Sequence, residues 1–186
     1  MKDLKPGSDI DLFIVAKKGR LFTSRLWITL LTSLFGVRRH GAKTHKRFCL
    51  SFFVEEGHED LSSIAIEDDI YLARWVKTLE PIAGDYDSYK SFINKNKAWS
   101  EPLIGHLDLQ QSMFAKRRLW HKIIQFVLSI PTLPFEKSLK AWQLKRSRLK
   151  AAHLNDKSGT IINDHQLKFH DKDKRKEIRE EWRKST

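Results

Sequence analysis

Two aspartates near the start of the chain, Asp9 and Asp11, have the spacing of a metal-binding pair. They flank one isoleucine and lead into the apolar run LFIV in the stretch KPGSDIDLFIV, residues 5–15. Because side chains alternate faces along a strand, both carboxylates are predicted to project from the same side, about 7 Å apart. Mg²⁺ binds proteins through one or two carboxylates and completes its shell with water and substrate phosphates. The pair therefore suits metal-dependent phosphoryl transfer at the mouth of a strand.

The same tripeptide also has a purely structural interpretation. Asp9 follows Gly7 and Ser8 and can close a turn, and Asp11 can lie at an exposed strand end, as acids near Gly and Ser often do. The tripeptide by itself leaves both interpretations open.

The elements around this pair predict an α/β or α+β core. Residues 10–15 (IDLFIV) are β-branched and aromatic and lie between two turn sequences, which predicts a strand. Residues 23–35 predict an apolar helix that is covered on several sides and has Thr23 or Ser24 as its N-cap. The run FCLSFFV at 48–54 predicts a second strand. Strand, helix and strand in this order are typical of such a core.

The charge of the chain is concentrated towards its C-terminus. The whole chain of 186 residues carries a net charge of +12, and residues 106–186, with 19 basic and nine acidic residues, account for +10 of it. Before that point, Asp68 or Asp69 is predicted to cap one helix, and a second short helix is predicted at 86–95. The sequence therefore predicts a core domain at 1–105 and a basic helical region at 106–186.

A resemblance to a known family starts from the string GSDIDLFIV. It resembles the metal-binding strand of the nucleotidyltransferase superfamily related to DNA polymerase beta, where a Ser-Asp-x-Asp-hydrophobic pattern carries two of three metal-ligand acids. Together with RFCLSFFV, DIYLARWVKTLEPI, FINKNKAW and LKFHDKDKRKEI, it makes most of the chain similar to bacterial proteins described as nucleotidyltransferase domain-containing. The resemblance implies a mixed sheet with helices, Asp9 and Asp11 as catalytic metal ligands, and Mg²⁺ as the cofactor. It also implies transfer of a nucleoside monophosphate from a nucleoside triphosphate to an unidentified hydroxyl acceptor.

The chain differs from the superfamily pattern in two places. In the superfamily, a Gly-Ser pair on a strand-to-helix turn before the Asp-x-Asp holds the triphosphate, but only four residues precede KPGSDID here. Gly7 and Ser8 are therefore assigned to the turn that enters the strand, and a truncated fold that begins after the first helix and strand is expected. The third acid belongs on a neighbouring strand, for which FCLSFFV is the best candidate. Ser51 is expected at that position, and Glu55 or Glu56 is the nearest carboxylate that could replace the acid.

Basic residues form two further candidate sites. Five of them lie on the loop after the first helix and could contact a triphosphate or belong to a solvated loop: Arg38, Arg39, Lys43, Lys46 and Arg47. Six more, in the C-terminal region, could form a nucleic-acid surface with Trp120 and Trp142: Arg117, Arg118, Lys145, Arg146, Arg148 and Lys150. Alternatively, these tryptophans belong to the core and the charges to a solvated face. The alternative function is a non-catalytic nucleic-acid- or protein-binding module on a degenerate nucleotidyltransferase scaffold.

The cysteine and histidine residues and the distribution of apolar residues argue against several other kinds of site and location. A single cysteine, Cys49, cannot form an intramolecular disulfide or a cysteine zinc site, and it is predicted to be a buried core thiol in a reducing compartment. His40, His45, His165 and His170 lack the i, i+4 spacing of a helical metal pair and are predicted not to be ligands. The N-terminal sequence is not a secretory signal, and no apolar run reaches the ~20 residues of a spanning helix. A cytoplasmic protein without a membrane span is expected.

Overall fold

The computed structural model of the protein describes residues 8–41, 43–107, 133–153, 159–169 and 173–185. These residues have mixed α and β content, with five α-helices and a four-stranded mixed sheet, which confirms the predicted α/β (α+β) class. Several residues singled out from the sequence lie outside the described ranges: Gly7, Arg117, Arg118, Trp120 and His170.

Contacts within the chain divide it into two compact units. Unit 1 comprises Met1–His58 and Pro131–Lys172, and unit 2 comprises Glu59–Ile130 and Asp173–Thr186. Each unit thus combines an N-terminal and a C-terminal segment. The boundaries between these units do not coincide with the predicted domain boundary near residue 105. The division into a domain at 1–105 and a region at 106–186 stays a prediction.

Unit 1 begins with a strand, a helix and a second strand. These are β1 (Ile10–Ala16), α1 (Leu21–Leu34) and β2 (Phe48–Glu55). Both strands are rich in β-branched and aromatic residues, which favour extended backbone. Strand β1 pairs in parallel with β2, and parallel neighbours need a crossover connection, which α1 supplies.

The C-terminal segment of unit 1 completes the sheet. It contributes α4 (Leu133–Ala152), β3 (Ile161–Ile162) and β4 (Gln166–Lys168). The strand order is β1-β2-β4-β3, and β4 is antiparallel to both of its neighbours. The sequence does not predict β4, because three residues are too few to establish an alternating pattern.

All of these elements except β3 contribute fully buried side chains to one hydrophobic core. The buried members are Ala16, Leu21, Phe22, Phe53, Leu144 and Leu167. Because they come from strands near the N-terminus and from elements beyond residue 133, the core joins the two distant segments of unit 1.

The N-terminus of α1 is capped from another helix. The predicted caps Thr23 and Ser24 are wrong, since the helix begins at Leu21 and its N-cap residue makes no side-chain hydrogen bond. Instead, the Glu136 carboxylate on α4 accepts hydrogen bonds from the backbone N–H of Phe22 at 2.7 Å and of Thr23 at 2.9 Å, and also from the Thr23 hydroxyl. A negative charge at this end complements the helix dipole.

The far end of α1 is exposed, although the helix is expected to be covered on several sides. Leu34 is 75% exposed and Phe35 is 72% exposed. In the described part of the chain, no helix has both the length and the apolar character needed to cross a membrane.

In the described residues of unit 2, the α-helices are α2 (Ile70–Thr78), α3 (Tyr86–Ile104) and α5 (Arg175–Ser185). Asp69 caps α2 by accepting a hydrogen bond from the backbone N–H of Leu72, which confirms one of the two predicted caps. Helix α3 runs beyond the predicted range 86–95. Polar residues in the second half of α3 obscure its helical pattern of apolar residues, so the sequence predicts too short a helix. In the structure these polar side chains are buried and hydrogen-bonded.

Candidate metal centre

Asp9 and Asp11 come together at the start of the sheet. Asp9 immediately precedes β1 and Asp11 is the second residue of that strand. One ligand atom from each of Asp9, Asp11 and Cys49 lies within 4.8 Å of the others. The convergence of the two carboxylates follows from the alternation of side chains that the sequence analysis used.

An irregularity in the strand pairing brings Ser51 to the same place. Asp11 is paired with Cys49 and Phe13 with Phe52, so β2 advances three residues where β1 advances two. Bulges of this kind often redirect a side chain beside a functional site. Here the Ser51 hydroxyl lies 3.3 Å from Asp11 Oδ1 and donates a hydrogen bond to it.

Arg39 lies next to the acid pair. Its Nη1 atom is 2.8 Å from Asp9 Oδ2 and 3.9 Å from Cys49 Sγ. The guanidinium is about half exposed, so its ion pair with Asp9 contributes little to stability, on the order of 0–1 kcal/mol. A bound cation can therefore replace Arg39 at Asp9, and a bound phosphate can replace Asp9 at Arg39, with little loss of stability.

The other predicted phosphate contacts lie on the same loop as Arg39. Arg38, Lys43 and Lys46 are exposed, and Arg47 is half-buried. Backbone hydrogen bonds fasten this loop to the beginning of β1, from Ile10 N–H to the Arg47 carbonyl at 2.9 Å and from Lys46 N–H to the Ser8 carbonyl at 3.1 Å. The loop thus holds its basic residues near the strand that carries the acids.

Cys49 is a half-buried residue beside Asp11, not the core thiol that the sequence predicts. Burial, reinforced by the negative charge of Asp11, raises the pKa of Cys49 to about 11. The thiol is therefore protonated at neutral pH in the metal-free protein. Of the three ligand atoms, the oxygen atoms of Asp9 and Asp11 are the type that suits a hard cation, whereas sulfur suits softer metals.

The raised pKa of Cys49 has a measurable consequence. We expect iodoacetamide to alkylate this single cysteine slowly near pH 8, with a rate that rises towards the pKa of about 11. Asp11→Asn removes the charge that reinforces the effect of burial on the pKa of Cys49, so alkylation near pH 8 should accelerate. Asp87→Asn, at an exposed position of α3, is the control. Equal rates in the Asp11 variant and the control would contradict this assignment.

The structure does not bring Glu55 to Asp9 and Asp11. Glu55 is paired with Ala16 at the other end of β1, five residues beyond Asp11, or about 17 Å along the strand. Glu56 forms an exposed ion pair with Lys17. The expectation that either glutamate replaces the third acid is therefore corrected, because the strand register carries both away from the pair. In the described residues, Ser51 is the β2 side chain hydrogen-bonded to Asp11.

Glu55 belongs to a second group that could hold a metal. One ligand atom from each of Glu55, His58 and His165 lies within 4.8 Å of the others. The sequence prediction that His165 is not a ligand stays a prediction, although the structure brings this residue into a group with donor atoms of the metal-binding type. Sequence analysis missed His58, for which the only local signal is the Glu-x-x-His spacing from Glu55. His165 is more than a hundred residues away, and only the pairing of β4 with β2 brings it close.

Helix α4 carries an exposed aromatic ring and several exposed basic residues. Trp142 is 51% exposed, so it is not the core residue that one interpretation of the sequence expects. The Arg146 guanidinium carbon lies 5.6 Å from the centroid of the Trp142 ring, within cation–π range. Lys145, Arg148 and Lys150 on the same helix are exposed as well.

Comparisons with known proteins give no match, since no family model, no curated protein and no solved structure matches this chain significantly.

Proposed function

We propose that the protein binds a nucleoside triphosphate together with Mg²⁺ at Asp9 and Asp11, and that it transfers a nucleoside monophosphate to a hydroxyl acceptor. The observation that carries this proposal is the convergence of the two carboxylates, whose ligand atoms lie within 4.8 Å of each other at the start of β1. The resemblance of GSDIDLFIV to the metal-binding strand of nucleotidyltransferases supports the choice of chemistry.

The residues around the pair have separate roles in this proposal. Asp9 and Asp11 hold the ion, and Ser51 fixes the orientation of the Asp11 carboxylate through its hydrogen bond. When bound, Mg²⁺ would neutralise charge on the triphosphate oxygens. Arg39, which now pairs with Asp9, donates hydrogen bonds to phosphate oxygens once the ion takes its place.

Removal of the proton from the acceptor hydroxyl is the step of the proposed reaction that this site supports least well. The resemblance puts a third acid on β2, where the structure has the Ser51 hydroxyl hydrogen-bonded to Asp11. A serine hydroxyl is a much weaker base than a carboxylate at neutral pH. We therefore expect slow turnover, and binding of the triphosphate is the sharper test.

Equilibrium binding of a labelled nucleoside triphosphate, with and without Mg²⁺, tests the proposal. Asp9→Asn and Asp11→Asn keep the side-chain size but remove a ligand charge, so each should weaken Mg²⁺-dependent binding by about 10–100-fold. Asp87→Asn removes the same charge from an exposed position of α3 and should leave binding unchanged. Equal affinity in the wild type and both site variants would overturn the proposal.

A second candidate function is binding of single-stranded nucleic acid by the outer face of α4. The observation that favours it is the exposure of Trp142 among Lys145, Arg146, Arg148 and Lys150. Bases stack on exposed aromatic rings while basic side chains follow the phosphates, a combination that needs no metal. Under this second candidate function, the protein is a non-catalytic nucleic-acid-binding module.

Oligonucleotide binding separates the second candidate from the first. Binding by α4 should persist in chelator, fall steeply with salt, and weaken by about 1–3 kcal/mol in Trp142→Ala. Phe135→Ala, which removes an exposed aromatic ring from the same helix, serves as the control. Binding that is insensitive to salt, or unchanged by Trp142→Ala, would exclude this candidate.

A further inference from the structure

A second side-chain cluster lies at the opposite end of β1 and β2 from the acid pair. Glu55 is the last residue of β2, His58 follows it after a turn, and His165 immediately precedes β4. One ligand atom from each of the three lies within 4.8 Å of the other two. Two imidazoles and one carboxylate are therefore grouped by the folding of segments that are far apart in the sequence.

Backbone hydrogen bonds fix all three positions. Glu55 N–H donates to the His165 carbonyl at 2.8 Å, and His58 N–H donates to the Glu55 carbonyl at 2.9 Å. The Gln166 side-chain amide donates to the His58 carbonyl at 3.1 Å. Each residue is therefore anchored through its main chain, so the backbone positions of the three do not depend on contacts among their side chains.

The side chains differ in exposure in a way that leaves the cluster open to solvent. The Glu55 side chain is 9% exposed and the His165 side chain is 49% exposed. The buried carboxylate of Glu55 lies at the bottom of the cluster. One of its oxygen atoms accepts a hydrogen bond from Gly19 N–H, and the other lies 2.5 Å from His165 Nδ1.

The two imidazole rings stack above this carboxylate. Their centroids are 4.0 Å apart and their planes differ by 3°. Parallel rings direct their nitrogen lone pairs side by side, so a shared ion requires one ring to tilt. His58 is exposed and is anchored by its backbone, so a tilt of its ring leaves the neighbouring hydrogen bonds intact.

We propose that Glu55, His58 and His165 form a binding site for a divalent transition-metal ion of the Zn²⁺ type. Two imidazoles and one carboxylate make a donor set that Zn²⁺ uses with three protein ligands, at distances of about 2.0–2.2 Å, leaving the fourth position to water. Imidazole also distinguishes this site from the acid pair, because nitrogen donors suit zinc and its neighbours whereas Mg²⁺ prefers oxygen. The proposal is independent of nucleotide binding at Asp9 and Asp11.

Metal titration of the full chain, stripped of metal with a chelator, tests this site. Zn²⁺ affinity is measured by competition with a chromophoric chelator, and Co²⁺ absorption serves as a probe of coordination by nitrogen and oxygen. We expect one tight Zn²⁺ per chain and a Co²⁺ spectrum typical of four-coordination. His58→Ala and His165→Ala remove exposed imidazoles and should each weaken Zn²⁺ binding by about 10–100-fold.

Two control variants test whether the loss of Zn²⁺ binding is specific to Glu55, His58 and His165. His153→Ala removes an exposed histidine at the end of α4, and the Asp9→Asn, Asp11→Asn double variant removes the acid pair. Both should keep the wild-type Zn²⁺ affinity. If Zn²⁺ does not bind, or if His58→Ala and His165→Ala bind it as tightly as the wild type, the cluster is only a hydrogen-bonded, stacked group and the proposal fails.

Discussion

Arg175→Met is expected to lower the free energy of unfolding by about 3–5 kcal/mol, because it breaks a buried ion pair by removing one partner. The Arg175 side chain in unit 2 is 9% exposed and the Asp69 side chain is 0% exposed. Methionine fills much of the same volume, so the expected loss comes from charge and hydrogen bonding rather than from a cavity.

The size of this effect follows from the number of groups that Arg175 satisfies. Its guanidinium binds Asp173 through two nitrogen atoms, at 2.9 and 2.6 Å, and donates to the Ile64 carbonyl at 2.7 Å. It also donates to Asp69 at 3.2 Å. The bonds to Asp173 and Asp69 outweigh burial and raise the pKa of Arg175 above its usual value. Without Arg175, a buried carboxylate that also caps α2 remains without its counter-charge.

Urea unfolding followed by tryptophan fluorescence measures this loss. Arg74→Met is the matched control, because Arg74 is an exposed residue of α2, and its replacement should change the unfolding free energy by less than about 0.5 kcal/mol. Equal stability of the two variants would mean that the ion pair contributes nothing to the fold of unit 2.

Phe53→Ala is expected to cost unit 1 about 3–5 kcal/mol, the usual range for truncation of a fully buried phenylalanine. Phe53 is 0% exposed and is a member of the core cluster. It lies on β2 between Ile14 of β1 and Leu167 of β4, so its removal leaves a cavity in the centre of the sheet.

Thermal and urea unfolding of Phe53→Ala should be compared with those of Phe135→Ala. Phe135 is 66% exposed, so the same truncation there should be nearly neutral. Similar losses in the two variants would contradict the assignment of the core to the face of β2 that carries Phe53.

Local patterns were sufficient to predict the elements that have a strong composition or periodicity of their own. The strands β1 and β2 and the basic helix α4 follow from short apolar runs or from charge distribution. The N-cap of α1 could not be predicted, because Glu136 supplies it from 113 residues away. The same limit applies to β4, which becomes a strand only by pairing with β2.

The two candidate metal centres differ in the same way. Asp9 and Asp11 could be paired from sequence, because the two-residue period of a strand brings them to one side. The position of Glu55 depends on the register between β1 and β2, which no local pattern specifies. This register removes Glu55 from the acid pair, and the pairing of β2 with β4 brings it to His165 instead.

The measurement that most directly tests the role of Asp9 and Asp11 is water-proton relaxation with Mn²⁺ in place of Mg²⁺, in the presence of a non-hydrolysable nucleoside triphosphate. Mn²⁺ held between the protein and the nucleotide tumbles slowly and enhances relaxation. We expect enhancement for the wild type and for His58→Ala, and a fall to the value of the Mn²⁺–nucleotide complex alone for the Asp9→Asn, Asp11→Asn double variant. Undiminished enhancement in that double variant would mean that the ion is held elsewhere and that Asp9 and Asp11 are not its ligands.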